Sequence, residues 1–105
     1  MFYGESLENT FHGAVEATKF LKSISSPHRL LMICAAMESP GVTNGEMAQK
    51  CGLSISAASQ HLTKMCEDQI LYKEKEGQKS RYYVKHETTK DIIYALKKAY
   101  EDKDG

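Results

Sequence analysis

The run from Leu53 to Leu62, Leu-Ser-Ile-Ser-Ala-Ala-Ser-Gln-His-Leu, is two-sided in an unusual way. Ile55, Ala58, Leu62 and Met65 follow one another three, four and three residues apart. At about 100° per residue, that spacing gathers them on one stripe of a helix. Ser56, Gln60, Thr63 and Lys64 fall on the opposite side, with Ala57, Ser59 and His61 at the margins. The outer face of a surface helix ordinarily carries Lys and Glu, whereas this one carries small hydroxyls and an amide. Short side chains let the helix axis approach another surface closely and hydrogen-bond to it. The rest of the chain must bury the stripe and leave the polar face open.

The flanking sequence meets both demands. From Leu7 to Ile24, apolar residues (Leu7, Phe11, Ala14, Val15, Leu21 and Ile24) recur at helical spacing, and Ala17 and Phe20 widen the stripe. That is more apolar surface than one small core covers, which points to a second subunit. Ser26 suits an N-cap and Pro27 the first position of the next helix, where its missing N–H costs nothing. Leu30, Leu31, Ile33, Cys34 and Met37 make that helix largely buried to about Glu38, and Ser39-Pro40-Gly41 breaks it. Thr43 and Glu46 fit a capping box that opens a short helix to about Cys51. Gly52 closes it in a left-handed conformation and Ser54 caps the next helix. Two helices joined by about three residues around a Gly have helix-turn-helix spacing. The runs Ile70–Lys75 and Ser80–Val84, split by Glu76-Gly77-Gln78-Lys79, predict a hairpin spanning residues 70–85. A last amphipathic helix is expected over Asp91–Asp102, capped by Thr88 or Thr89, and Met1–Ser6 as a loose end. The expected fold is mainly α with a small β-hairpin, a single winged helix-turn-helix domain over residues 1–105.

Bulk numbers narrow the function. Fourteen acidic residues balance fourteen basic ones, so contact with nucleic acid must come from local placement of charge rather than from an overall field. Between Lys64 and Lys85, Lys64, Lys73, Lys75, Lys79, Arg81 and Lys85 stand against Glu67, Asp68, Glu74 and Glu76, a small excess. The three cysteines form no C-x-x-C pair, and no signal peptide or long apolar run is present. A cytoplasmic protein with reduced thiols and no membrane contact is expected. No Gly-rich phosphate loop, paired carboxylates or Ser/His/Asp set points to an enzyme.

The order of elements resembles the ArsR/SmtB family of bacterial winged-helix repressors. Leu21–Leu30 is similar to that family's stretch ending in a small residue, Pro, any residue, Arg and Leu. Gly52-Leu53-Ser54 through Ser59-Gln60-His61-Leu62 is similar to its recognition helix, and Glu76–Val84 to its wing. The likeness covers roughly Phe20 to Tyr100. It implies a homodimer paired through the first and last helices on a palindromic operator in double-stranded DNA. It also implies that Ser56, Ser59 and Gln60 face the major groove, and that Lys79 and Arg81 on the wing meet phosphates or the minor groove. Gln pairs well with adenine and cations supply sequence-independent affinity. Lys64 joins this set. His61 either touches DNA or packs against the preceding helix or the wing.

The resemblance also raises the question of a signal. Thr43, Asn44 and Gly45 stand where metal-binding members carry thiolates, and on the last helix His86 has Lys97, Lys98 and Tyr100 for company. Neither common metal site is expected, nor any cofactor. A thiol-sensing subgroup uses one Cys on the second helix and one on the last. Cys34 occupies the first of these positions, and the last helix has no Cys. Cys34, in Leu-Met-Ile-Cys-Ala, reads as a core residue, and Cys66 as the most exposed thiol. Both stay as redox candidates. Against the leading reading, a DNA-binding repressor, stand a winged-helix protein–protein interaction module, which the neutral charge favours, and a thiol-responsive regulator.

Overall fold

The computed structural model describes residues 7–101, as five helices and three strands. In chain order these are α1 (Leu7–Ile24), α2 (Pro27–Glu38), β1 (Val42–Thr43), α3 (Asn44–Cys51), α4 (Ile55–Glu67), β2 (Leu71–Glu76), β3 (Lys79–Val84) and α5 (Glu87–Tyr100). The expected loose start, 1–6, and the expected end of the last helix at Asp102 lie outside the described residues.

Local chemistry accounts for the helix ends. Ser26 is extended and its Oγ accepts the Arg29 N–H, with Pro27 at the first helical position. At α3 the capping box is complete: Thr43 Oγ1 accepts the Glu46 N–H at 3.1 Å and Glu46 Oε1 accepts the Thr43 N–H at 2.9 Å. Gly52, at φ 67°, then turns the chain out of α3, the Leu53 N–H reaching the Ala48 carbonyl and the Gly52 N–H that of Gln49. This pair of bonds is the Schellman motif, which needs a left-handed residue. Ser54 Oγ accepts the Ala57 N–H at 3.0 Å and starts α4. The two helices are therefore held at a fixed angle by three residues, each with a defined job.

Beneath them lies a core of fully buried Met32, Ile33, Met47, Leu62, Met65, Ile70, Leu71 and Ile93. Ala58, Leu62 and Met65 of the α4 stripe are in it. Ile55 is not: it is 58% exposed. On α2, Leu31 is likewise exposed and Met32 takes the interior position.

The structure adds one strand to the expected elements and moves the start of the last helix. The expected hairpin is present, and a strand not expected from the sequence, β1, joins it in a three-stranded antiparallel sheet ordered β1-β3-β2, with Val42 opposite Tyr82 and Thr43 opposite Arg81. A strand as short as β1 has no readable periodicity, and it forms because the approach to α3 is buried alongside β3. The last helix starts at Glu87 rather than Asp91, with His86 at the cap position making no side-chain capping bond. Thr88 and Thr89 lie inside the helix, and Thr89 is buried one turn before Ile93. Packing of that pair against the core, not a cap, sets where α5 begins.

Candidate nucleic-acid interface

The exposed side of α4 forms a shallow groove lined by Ser56, Ser59, Gln60, Thr63, Lys64 and Glu67. No bulky side chain fills it. Four residues proposed from the sequence, Ser56, Ser59, Gln60 and Lys64, thus share one surface, and Thr63 belongs with them. The α4 N-terminus leads into this groove, and Ile55 stands exposed on the first turn beside it. Helical spacing cannot separate such an Ile from a core residue, because it gives the side of the helix and not what covers that side. Its only sequence signal is its place immediately after the Ser54 cap.

Electrostatics temper the groove's charge. Lys64 Nζ is 3.3 Å from Asp68 Oδ1 one turn later. Hydrogen bonding from the Ser23 hydroxyl, and then the Lys64 ammonium, hold the Asp68 carboxyl below its usual range. Glu67 adds a second negative charge at the C-terminal end of the groove.

His61 leaves this face. Arg29 Nε donates to His61 Nδ1 at 3.1 Å, and the His28 ring stacks on it with centroids 6.1 Å apart. A guanidinium cannot accept, so Nδ1 carries the lone pair and the ring is neutral. Burial, then the Arg29 charge and then His28 push its pKa down from 6.5. His61 thus packs on α2, which is neither the preceding helix nor the wing expected from the sequence.

On the wing, β2 and β3 pair from Leu71–Val84 to Glu76–Lys79, leaving Gly77 and Gln78 as the turn. Gly77 takes φ 64°, a positive φ at the first of two turn residues that Gly adopts without cost. Lys79 is exposed at the tip. Arg81 is half-buried and committed internally: Nε and Nη2 donate to Glu76 Oε1 at 3.0 and 2.9 Å, and Nη1 donates to the Gly41 carbonyl at 2.9 Å. The Glu76 carboxyl is held below its usual range by the same interaction. This arginine ties the wing to the β1 turn. Gly41 itself allows close packing there: at φ 89°, an added Cβ would lie 3.2 Å from the Tyr83 hydroxyl.

The thiols are muted. Cys51 is buried, and Cys34 and Cys66 are both half-buried, so Cys66 is not set apart by exposure. Burial pushes all three thiols up from their ordinary value. A raised pKa lowers the thiolate fraction on which reactivity depends. Among the described residues no three His, Cys, Asp or Glu side chains cluster as metal ligands.

With a three-residue turn between capped helices, an open polar face on the second helix and a wing beside it, the geometry can be set against known proteins. A family profile described as "Winged helix-turn-helix DNA-binding" matches residues 27–72. The "HTH-type transcriptional regulator YgaV" of Escherichia coli K12 is 39% identical over 87 residues, covering 83% of this chain and 88% of that protein. The chain belongs to the ArsR/SmtB family of winged helix-turn-helix transcriptional regulators. Solved structures agree. A structure described as a "predicted DNA-binding transcriptional regulator from E. coli" superposes with a TM-score of 0.82 at 37% identity, over 90% of this chain and all of that one. Reduced HlyU from Vibrio cholerae gives 0.83 at 26% identity, over 90% of this chain and 99% of that one. This ArsR-type protein is a DNA-binding regulator of transcription and not an enzyme. Among its described residues no helix is long and apolar enough to cross a membrane.

Proposed function

We propose that the protein is a homodimeric repressor that places one α4 in the major groove of each half of a palindromic operator. The observation that carries this reading is the outer face of α4, where Ser56, Ser59, Gln60, Thr63 and Lys64 line one open groove without an obstructing side chain. Gln60 offers an amide that pairs with adenine N6 and N7, and Ser56 and Ser59 accept or donate as the base requires. Ile55, exposed on the first turn, suits the C5-methyl of thymine. Lys79 at the wing tip supplies phosphate contact, whereas Arg81, through Glu76 and Gly41, stiffens the wing that presents it. Dimerisation through α1 and α5 is supported by Leu7 (87% exposed), Phe11 (71%) and Tyr100 (84%), large apolar side chains open to solvent in the single chain.

The test is a mobility shift with a duplex taken from upstream of the protein's own gene, repeated with Gln60→Ala. Loss of one good bidentate pair costs about 1–3 kcal/mol, so binding should weaken by about tenfold or more while unrelated DNA is bound as before. If the wild-type chain binds the duplex no better than scrambled DNA, the repressor reading is wrong, and a winged-helix surface for protein partners takes its place.

A further inference from the structure

Beside the groove, and sharing Lys64 with it, a second depression opens between the C-terminal half of α1 and α4. Lys19, Lys22, Ser23, Arg29, Lys64 and Asp68 line it, four cations against one carboxylate. In a chain of zero net charge such a concentration is a local exception. Three details make it a site rather than a chance meeting of lysines. First, Arg29 is immobilised: Nε donates to His61 at 3.1 Å and Nη1 to the Ser23 carbonyl at 2.9 Å. Its Nη2 has no bond to any described residue. Second, Ser23 Oγ is buried in the depression beside the Asp68 carboxylate, so an anion's oxygen entering there would compete with Asp68 for the hydroxyl proton as it does for Lys64. Third, Lys22 makes no ion pair with any described residue, and its neighbour Lys19 pairs only with the exposed Glu16 at 3.2 Å.

We infer that this pocket is a phosphate-binding site that grips the DNA backbone next to the base-reading groove. Arg29 supplies a fixed fork, Ser23 a hydroxyl donor, and Lys19, Lys22 and Lys64 the mobile charge; phosphate binding then competes with Asp68 for Lys64. The site joins α1 and the start of α2 to the C-terminal end of α4, beside the base-reading groove, and it adds affinity without sequence preference. The inference rests on the proposed operator binding. A second source of the same chemistry is a free phosphate, which would occupy the pocket in place of DNA.

The experiment measures operator affinity against salt for the wild-type protein, for Lys19→Gln/Lys22→Gln and for Lys19→Arg/Lys22→Arg. Both lysines are exposed, so the fold tolerates the change. If each protomer of a dimer then neutralises one phosphate fewer, the slope of log K against log salt should become shallower by about two units, operator and scrambled duplexes weakening alike. The Arg variant should restore the wild-type slope. An unchanged slope in the Gln variant, while Gln60→Ala still weakens operator binding, overturns the phosphate site and leaves the operator reading standing. A weakening that Arg fails to rescue, or one confined to the operator, also overturns it. Inorganic phosphate titrated against the protein separates the sources: saturation at the Lys22 resonance with an unchanged DNA slope assigns the pocket to free phosphate and overturns the role in DNA binding. Failure of the wild-type protein to bind any duplex would instead remove the reading on which the site depends.

Discussion

Gln69 holds a conformation that its neighbours demand and its side chain does not favour. α4 ends as α3 does, in a Schellman pair: the Ile70 N–H reaches the Met65 carbonyl and the Gln69 N–H that of Cys66. At α3 the left-handed residue is Gly52, while here it is Gln69 at φ 66°. A non-Gly residue in this region costs about 1–2 kcal/mol, part of which Gly returns as extra freedom of the unfolded chain. Gln69→Gly should therefore raise stability by about 0.5 kcal/mol, and Gly52→Ala lower it by about 1 kcal/mol, both read from urea midpoints. No atom lies within 4 Å of a Cβ added at Gly52, so that effect would be conformational, not steric. His61 carries a pH effect of definite sign. Its folded pKa lies below 6.5, so on acidification the unfolded chain takes up the proton first. The stability that neutral His61 provides is complete above about pH 6.5 and is lost as pH falls through the folded value. The lowered carboxyls, Glu46, Asp68 and Glu76, lose theirs in the lower window that starts near their ordinary values of 4.5 and 3.8. Urea midpoints compared at about pH 7.5 and 5.5 should fall for the wild type and fall less for His61→Gln.

Among the elements, α3 is the one most dependent on its ends. It is eight residues long, too short to persist on propensity alone. Its capping box joins Thr43 and Glu46, and Thr43 also belongs to β1 opposite Arg81. One residue thus starts the helix and closes the sheet. Thr43→Ala should cost about 1 kcal/mol or more, and hydrogen exchange should quicken at Glu46 and in the wing as well as in α3. Faster exchange confined to α3 would show that the sheet holds without the cap. The wing depends similarly on Arg81. Arg81→Ala should leave the protein folded but loosen β2 and β3 at the Glu76 end, weakening specific and non-specific DNA binding together by a smaller factor than Gln60→Ala weakens the operator alone. The sheet was the part of the fold least visible in the chain: the hairpin is legible from alternation and its Gly, whereas β1 is two residues whose pairing depends on where α2 and α3 place them.

At the scale of the whole molecule, apolar surface is left over on α1 and α5, and the proposed dimer would cover it. Phe11→Asp changes an exposed residue, so the single chain should fold as before, with an unaltered helical spectrum. It should sediment as a monomer at concentrations where the wild type is a dimer. Operator binding should fall by about 100-fold, because the second half-site no longer shares the encounter of the first. A dimeric Phe11→Asp protein with full affinity would place the subunit interface elsewhere. Helix positions, the Ser26, Thr43 and Ser54 caps, the Gly52 turn and the polar face of α4 are short-range properties, set by residues within about one turn of each other, and could be read from the chain itself. The orientation of His61 toward Arg29, the internal commitment of Arg81, the exposure of Ile55 and the meeting of Lys19 and Lys22 with Lys64 depend on side chains far apart in sequence. Those became visible only once α1, α2, α4 and the sheet had packed, because helical periodicity states which side of an element a residue occupies but not which neighbour, if any, covers it.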